Sequence, residues 1–453
     1  MHFERLLPPK FFLMMLVLLL PCASWAVDDG VGEGNSLSLS LSQAMGWAVA
    51  HHLQMQRVRE QAQEAAAQAD QAHAALLPNI GFNSYQSRQT QNLRAMGFNI
   101  PGFPIVNGPF NTFDARVQFT QQLFDVMHQD LSHSAQVGVE IARLNTEAEA
   151  QQRAGAAGLA YIAVQETDES VKAAEANVTL SKALLKLTND QQKTGLSTGV
   201  DRIRAEAALA QSEYQRQQAS GEYAEAMTRL KRALGIAQNV SLVLTDTLHD
   251  PQTTRDPDAS SRAMKLRPEL RALEKTLEQR EAERDAARAA SYPTVGLVGA
   301  IGPSGVLPAQ YDYRTYSYGI QMSLPLYQGG ALVARQDQAD SRLRQAQLTL
   351  EDSRHQVEED VRLAEVSLTT QLSQLHAAQD HLTLVQRLLT QSQDRFMSGA
   401  ADNLELIDAQ AQLAAARSDQ IAALGALGMA SINYELATGT LSFPVLPTAD
   451  FHP

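Results

Sequence analysis

The 453 residues carry 50 acidic and 37 basic side chains, and the resulting charge of −13 argues against nucleic acid as a partner. Aromatic residues make up only 6%, with alanine and glutamine abundant, which favours long helices over a thick globular core. The one cysteine, Cys22, excludes disulfides and thiolate metal sites.

The chain opens as a secretory signal. Arg5 and Lys10 precede the apolar run Phe11 to Leu20, and Pro21 and Ser24-Trp25-Ala26 follow, so cleavage is expected after Ala26. The run is too short for a permanent membrane helix, and no other apolar run approaches the required length. Leu19-Leu20-Pro21-Cys22 has the cysteine of a lipoprotein site, but Pro21 replaces the small residue expected before it.

Proline placement sets the architecture. None occurs between Pro109 and Pro251 or between Pro325 and Pro444, and these gaps are where long helices can form. Long helices are predicted over 127–194 and 329–398, the latter about 105 Å long at 1.5 Å per residue. In the second, Val357, Val361, Ala364, Leu368, Leu372, Leu375, Ala378, Leu382, Val385 and Leu389 recur at steps of three or four. Shorter helices are predicted over 42–77 and 201–234, and over 261–291 and 402–437. Each pair, stacked end to end, matches the length of one long helix.

Between the helices lie two predicted β-hairpins, 79–124 and 294–326. Phe113, Ala115, Val117 and Phe119 alternate with polar residues, as do Tyr316, Tyr318, Ile320, Met322 and Leu324. Weaker strands are expected over 79–90 and 294–302. The alternation fits a membrane barrel with apolar residues facing lipid, and it also fits a soluble antiparallel sheet. Four strands cannot close a membrane barrel and an open edge cannot face lipid, so the barrel reading requires oligomerisation, eight strands in a dimer or twelve in a trimer.

The halves repeat. Pro78 and Pro293 lie 215 positions apart, while Gly195 and Gly399, like Gly235 and Gly439, lie 204 apart. Residues 27–250 and 251–447 are therefore read as two repeats, with 448–453 as a tail. Each repeat contains one glycine-bearing tip: Gly195-Leu196-Ser197-Thr198-Gly199-Val200-Asp201 and Gly399-Ala400-Ala401-Asp402-Asn403-Leu404-Glu405.

Leu76-Leu77-Pro78, Gln122-Leu123-Phe124-Asp125 and its twin Leu324-Pro325-Leu326-Tyr327-Gln328-Gly329-Gly330 come in order along the chain. Arg267-Pro268-Glu269-Leu270, Arg395-Phe396-x-x-Gly399 and Leu404-Glu405-Leu406-Ile407-Asp408-Ala409 complete the series. In order and spacing, over roughly 400 residues, the chain resembles the TolC-like outer-membrane efflux family. The resemblance implies a homotrimer with four strands per chain in a shared twelve-stranded barrel, continuing into a periplasmic helical barrel. It implies a passive exit channel in outer-membrane lipid, docked on a periplasmic adaptor and an RND- or ABC-type inner-membrane pump. The rival reading is a periplasmic coiled coil that bridges envelope layers without a pore.

The resemblance also assigns the tips. Gly195, Leu196, Ser197, Gly399 and Ala400 would be adaptor-docking turns. Glu405 and Asp408 would form an acidic selectivity ring at the periplasmic mouth, with Asp201 at the matching acid of the first repeat and Arg204 as the repeat counterpart and potential partner of Asp408. Phe396 stands where the best-known member has a tyrosine in its closing network, and Ala401 where it has an arginine, so those locks cannot form here.

The spacings also carry simpler meanings. Asp402-x-x-Glu405 and Thr198-x-x-Asp201 are spaced as capping boxes, and an acid in a first helical turn is favoured by the macrodipole. Asp408 lies beyond the cap, on the face of Glu405, where an exposed helix acid is ordinary. The pairs His128/His133 and His376/His381 are spaced at five, poor for a shared metal. No nucleophile motif, phosphate loop or catalytic carboxylate pair is present. No enzymatic activity, metal or cofactor is expected.

Overall fold

The computed structural model describes residues 36–97, 101–102, 104–195, 197–251, 255–398, 400 and 403–444, with only the backbone of 36, 311 and 312. The signal segment, its cleavage site and Cys22 lie outside the described residues. In order, the chain forms β1 (Ser36–Leu39), α1 (Leu41–His51), α2 (Leu53–Ala74), β2 (Asn79–Asn92), β3 (Val106–Phe124), α3 (Val126–Lys193) and α4 (Gly199–Leu234). It continues through β4 (Ser241–Leu244), α5 (Ala259–Leu266), α6 (Pro268–Ala289), β5 (Thr294–Leu307), β6 (Gln310–Ser323), α7 (Ala331–Met397) and α8 (Asn403–Thr438).

The axis of the molecule is set by α3 and α7, of 68 and 67 residues, each about 100 Å long. Asp125 starts α3: its buried carboxylate accepts from the His128 backbone N–H at 3.0 Å and lies 2.7 Å from His128 Nδ1. Gly329 and Gly330, at φ +59° and +85°, turn the chain into α7. In α7 the buried residues run Leu343, Leu350, Val357, then Val361, Leu368, Leu375, and then Leu389 and Phe396. These seven-residue steps give a narrow coiled-coil seam, and neither helix could stand in water without partners along its length.

The partners are the shorter helices. Helices α1, α2 and α4 pack on α3, and α5, α6 and α8 on α7, while α6 and α8 also contact α3. The helices predicted over 42–77 and 261–291 are each two helices. The first breaks at His52 (ψ 133°), whose ring Nδ1 accepts from the Gln54 N–H and caps α2, while Arg59 donates to the carbonyls of Val49 and Ala50. The second breaks at Arg267 (ψ 117°), with Pro268 in the first turn of α6. A residue before proline is pushed out of the helical region, so Arg267-Pro268 cannot sit inside one helix. His52 and Arg267 lie 215 positions apart.

Strands β2, β3, β5 and β6 form one antiparallel sheet in that order, leaving β2 and β6 as its edges. Ile80, Phe82 and Tyr85 of β2 and Tyr316, Tyr318, Ile320 and Met322 of β6 are exposed. The strand expected over 294–302 continues to Leu307. It passes Gly302-Pro303 where the β3–β5 ladder is interrupted, so the missing proline N–H breaks no bond in that ladder.

At the other junction β1 and β4 form a two-stranded parallel sheet beside the middle of α3. Fully buried Tyr161 of α3 donates through its hydroxyl to the Leu39 carbonyl (3.0 Å), and Gln165 donates to the Asp246 carbonyl (2.8 Å). The Leu39 carbonyl also accepts from the Thr245 N–H at 3.1 Å, so Tyr161 adds a second bond to it, while Gln165 gives the Asp246 carbonyl, just past β4, a partner. No helix among the described residues is long and apolar enough to cross a membrane.

Candidate functional site at the helix tips

The first tip is built from helix-end chemistry. Thr194 closes α3, and Gly195 follows at φ +76°, its N–H on the Gln192 carbonyl (3.1 Å). Thr198 opens α4 in a full capping box: its Oγ1 accepts from the Asp201 N–H, and the Asp201 carboxylate accepts from the Thr198 N–H at 2.9 Å. The Thr198 hydroxyl donates to the same carboxylate at 2.7 Å, and Ser197 at 3.4 Å. These bonds, the Thr198 hydroxyl first, hold the Asp201 carboxyl below the usual carboxylate range.

The second tip closes α7 through the Ser398 N–H on the Asp394 carbonyl (3.0 Å) and the Ala400 N–H on the Arg395 carbonyl (2.8 Å). Leu196, Gly399, Ala401 and Asp402 lie outside the described residues, and with them the turn at Gly399 and the cap expected from Asp402. Phe396 is 9% exposed and packs in the apolar cluster of Leu184, Leu389, Leu406, Ala409 and Leu413.

The acids separate. Glu405 is half-buried and turned back on α7, with Arg395 at 3.4 Å and the Ser392 hydroxyl at 3.4 Å. Asp408 is exposed and accepts from Gln412 Nε2, one turn along, at 2.7 Å. The pairing of Asp408 with Arg204 does not form within the chain. Arg204 lies instead 3.8 Å from Asp201, three residues away on its own helix, the shortest reach open to a helical side chain.

One tip residue escaped the sequence reading. Asn403, 2% exposed, donates through Nδ2 to the main-chain carbonyl of Asp201 at 3.0 Å. Its signal was positional: the buried stripe of α8, Leu406, Ala409, Leu413 and Ala416, extends back by three residues onto Asn403.

Beyond the tips, α3, α4 and α8 diverge around a groove of about 510 Å³, and of its lining side chains only Glu222 is ionisable. Alanine, serine and glutamine make up most of the rest, with Asn177, Leu180, Ile407 and Ile421 among them. Among the described residues no three His, Cys, Asp or Glu side chains converge as a metal site would require. Exposed apolar residues instead surround the turns: Val200, Ile203, Met397 and Leu404.

Residues 46–236 and 259–440 match the family model described as outer membrane efflux protein. The chain belongs to that family. Its place is therefore the outer membrane. This efflux-family chain is 25% identical over 430 residues to the pyoverdine export outer membrane protein OpmQ of Pseudomonas aeruginosa, covering 92% of this chain and 86% of that protein. It is 23% identical over 259 residues to nodulation protein T of Rhizobium leguminosarum bv. trifolii and 25% over 263 residues to the cation efflux system protein CusC of Escherichia coli K12. In both cases the match spans just over half the relative's length, 56%. In fold it is similar to the outer-membrane channel OprN (TM-score 0.76, 20% identity, 88% of this chain and 89% of that one). It is equally similar to the open state of the Neisseria gonorrhoeae MtrE outer membrane channel (TM-score 0.76, 19% identity, 90% and 91%).

Proposed function

We propose that the protein is a passive outer-membrane exit channel, a homotrimer that docks on a periplasmic adaptor and an inner-membrane pump of RND or ABC type. The observation that carries this reading is the four-stranded sheet with two unpaired edges and exposed apolar faces, joined to helices about 100 Å long. An open strand edge is intolerable in lipid, and joining β6 of one copy to β2 of the next removes all edges at once. Three copies close a twelve-stranded barrel wide enough to leave a lumen, whereas eight strands leave little space inside. The internal duplication supports the same geometry, since two similar helical tips per chain would give a ring of six.

The tips are the periplasmic mouth in this reading. The turns at Gly195, Leu196 and Ser197 and at Gly399 and Ala400, beside exposed Val200, Ile203 and Leu404, form the adaptor-docking surface. Glu405 and Asp408 supply negative charge at the opening, and Asp201, Arg204 and Phe396 support it. Relatives are named for pyoverdine export, cation efflux and protease secretion, a spread of cargo that supports a generic duct with selection by the pump.

Outer-membrane fractionation followed by planar-bilayer recording tests the channel. A heat-modifiable outer-membrane oligomer with discrete conductance is the expected result. A periplasmic protein without a pore would establish the coiled-coil rival. Docking is tested separately by crosslinking from Ser197→Cys or Ala400→Cys, which should capture a periplasmic adaptor. Cys22 lies in the segment expected to be removed, so it would not interfere.

A further inference from the structure

Several polar contacts join residues of the same tip. Thr198, Ser197 and Arg204 face Asp201 inside the first tip, and Ser392 and Arg395 face Glu405 inside the second. Among the described residues, the side chain that hydrogen-bonds across from α8 to α4 is Asn403, through Nδ2 on the Asp201 carbonyl. A carbonyl can only accept, so the amide nitrogen must face it. That fixes the other end: Asn403 Oδ1 is buried and has no hydrogen-bond partner.

A half-satisfied buried amide is a poor way to stabilise a helix contact, because the orphan acceptor loses its water and gains nothing. Leucine at 403 would extend the apolar stripe of Leu406, Ala409 and Leu413 at lower cost. What the amide adds is direction: it holds α8 against α4 in one register, and the unpaired Oδ1 keeps that hold weak enough to release. We propose that Asn403 is a positioning residue for gating, a reversible latch that ties the first turn of α8 to the first turn of α4 and so holds the periplasmic mouth in its resting shape. Releasing it frees the turn that carries Glu405 and Asp408. The proposal rests on the channel reading above and names the contact that regulates that mouth.

The decisive variants are Asn403→Leu and Asn403→Asp in the full-length oligomer. Each is measured by thermal melting, by deuterium exchange of the first-turn amides of α4 and α8, and by bilayer conductance. Leucine should leave the melting temperature unchanged or raised while first-turn exchange and mean conductance rise, by roughly two- to tenfold per released hydrogen bond. Aspartate, which sets a carboxylate against the Asp201 carbonyl, should raise both further. Ser392→Ala, which removes a contact inside one tip, should change neither.

If the leucine variant exchanges no faster than the parent, the latch is overturned. The same holds if exchange, conductance and melting temperature all move together, as for a merely structural residue. Absence of current in every protein, parent included, overturns the channel reading instead, and the exchange measurement still decides whether Asn403 holds the two helices together.

Discussion

Gly235 lies against the main chain of His52: a β-carbon on it would stand 3.2 Å from His52 Cα and 3.7 Å from the carbonyl oxygen of His51. The end of α4 is thus seated in the break between α1 and α2. Gly439, at φ +69°, has the same relation to the break between α5 and α6, with a β-carbon 3.3 Å from the Arg267 nitrogen. Gly235→Ala meets both a left-handed backbone (φ +72°) and fixed main chain, and should cost about 1–3 kcal/mol of stability. Gly97→Ala, at φ +85° with none of the described residues within 4 Å, chiefly tests the backbone strain and should cost about 1–2 kcal/mol. Denaturant melts of the two variants should therefore differ, with Gly235→Ala the worse.

The break at His52 carries a pH dependence. Its ring Nδ1 accepts from the Gln54 N–H, which only a nitrogen without a proton can do. Burial first, then the charge of Arg153, lowers its pKa below the ordinary 6.5, with Glu149 opposing. The folded state therefore binds this proton less readily than the unfolded chain. The cap's contribution is whole above pH 6.5 and is lost as pH falls through the lowered folded value. His52→Asn keeps an N-cap acceptor but does not titrate, so its melting temperature should fall less than the parent's between pH 7.5 and pH 5.

The same two joints mark the limit of what could be read from the chain. The long helices announced themselves through two proline-free gaps and a heptad of apolar residues, because a seam must repeat along the whole length it packs. The Arg267 break was legible in principle, since Pro268 forbids a helical Arg267, but the amphipathic pattern on both sides concealed it. The His52 break has no glycine or proline; a ring nitrogen and Arg59 make it, and both act through tertiary geometry. Strands β1 and β4 are four residues each, too short for alternation to register. At the tips the capping box of Thr198 and Asp201 followed from spacing. The contact of Asn403 did not, because a side chain bonding to a carbonyl 202 positions away leaves no local pattern.

Gly302 sits so close to β3 that a β-carbon would collide with the carbonyl oxygen of Ala115 and stand 2.7 Å from Arg116 Cα. Both atoms belong to a neighbouring strand's backbone and cannot rotate away. Gly302→Ala should therefore separate β3 from β5 at the interrupted stretch of their ladder, costing more than about 3 kcal/mol. Heat-modifiable oligomer in the outer membrane should fall sharply. Gly319→Ala, in the neighbouring strand with none of the described residues of its own chain within 4 Å, should assemble better than Gly302→Ala.

In the proposed channel, Glu405 and Asp408 should contribute unequally to the charge at the mouth. Arg395 stands 3.4 Å from Glu405 and offsets part of its charge, although both side chains are exposed enough for salt to screen the pair. Asp408 faces solvent, and among the described residues its partner is the neutral Gln412. In the proposed oligomer, with one copy per protomer around a narrow opening, such charges would concentrate cations. Asp408→Ala alone should lower the cation-to-anion permeability ratio by roughly two- to tenfold, Glu405→Ala should lower it less, and the double variant should also lose block by divalent cations. Reversal potentials across a salt gradient read the ratio directly. A double variant whose selectivity and divalent block match the parent would remove these acids from the permeation path and leave Glu405 as a structural partner of Arg395.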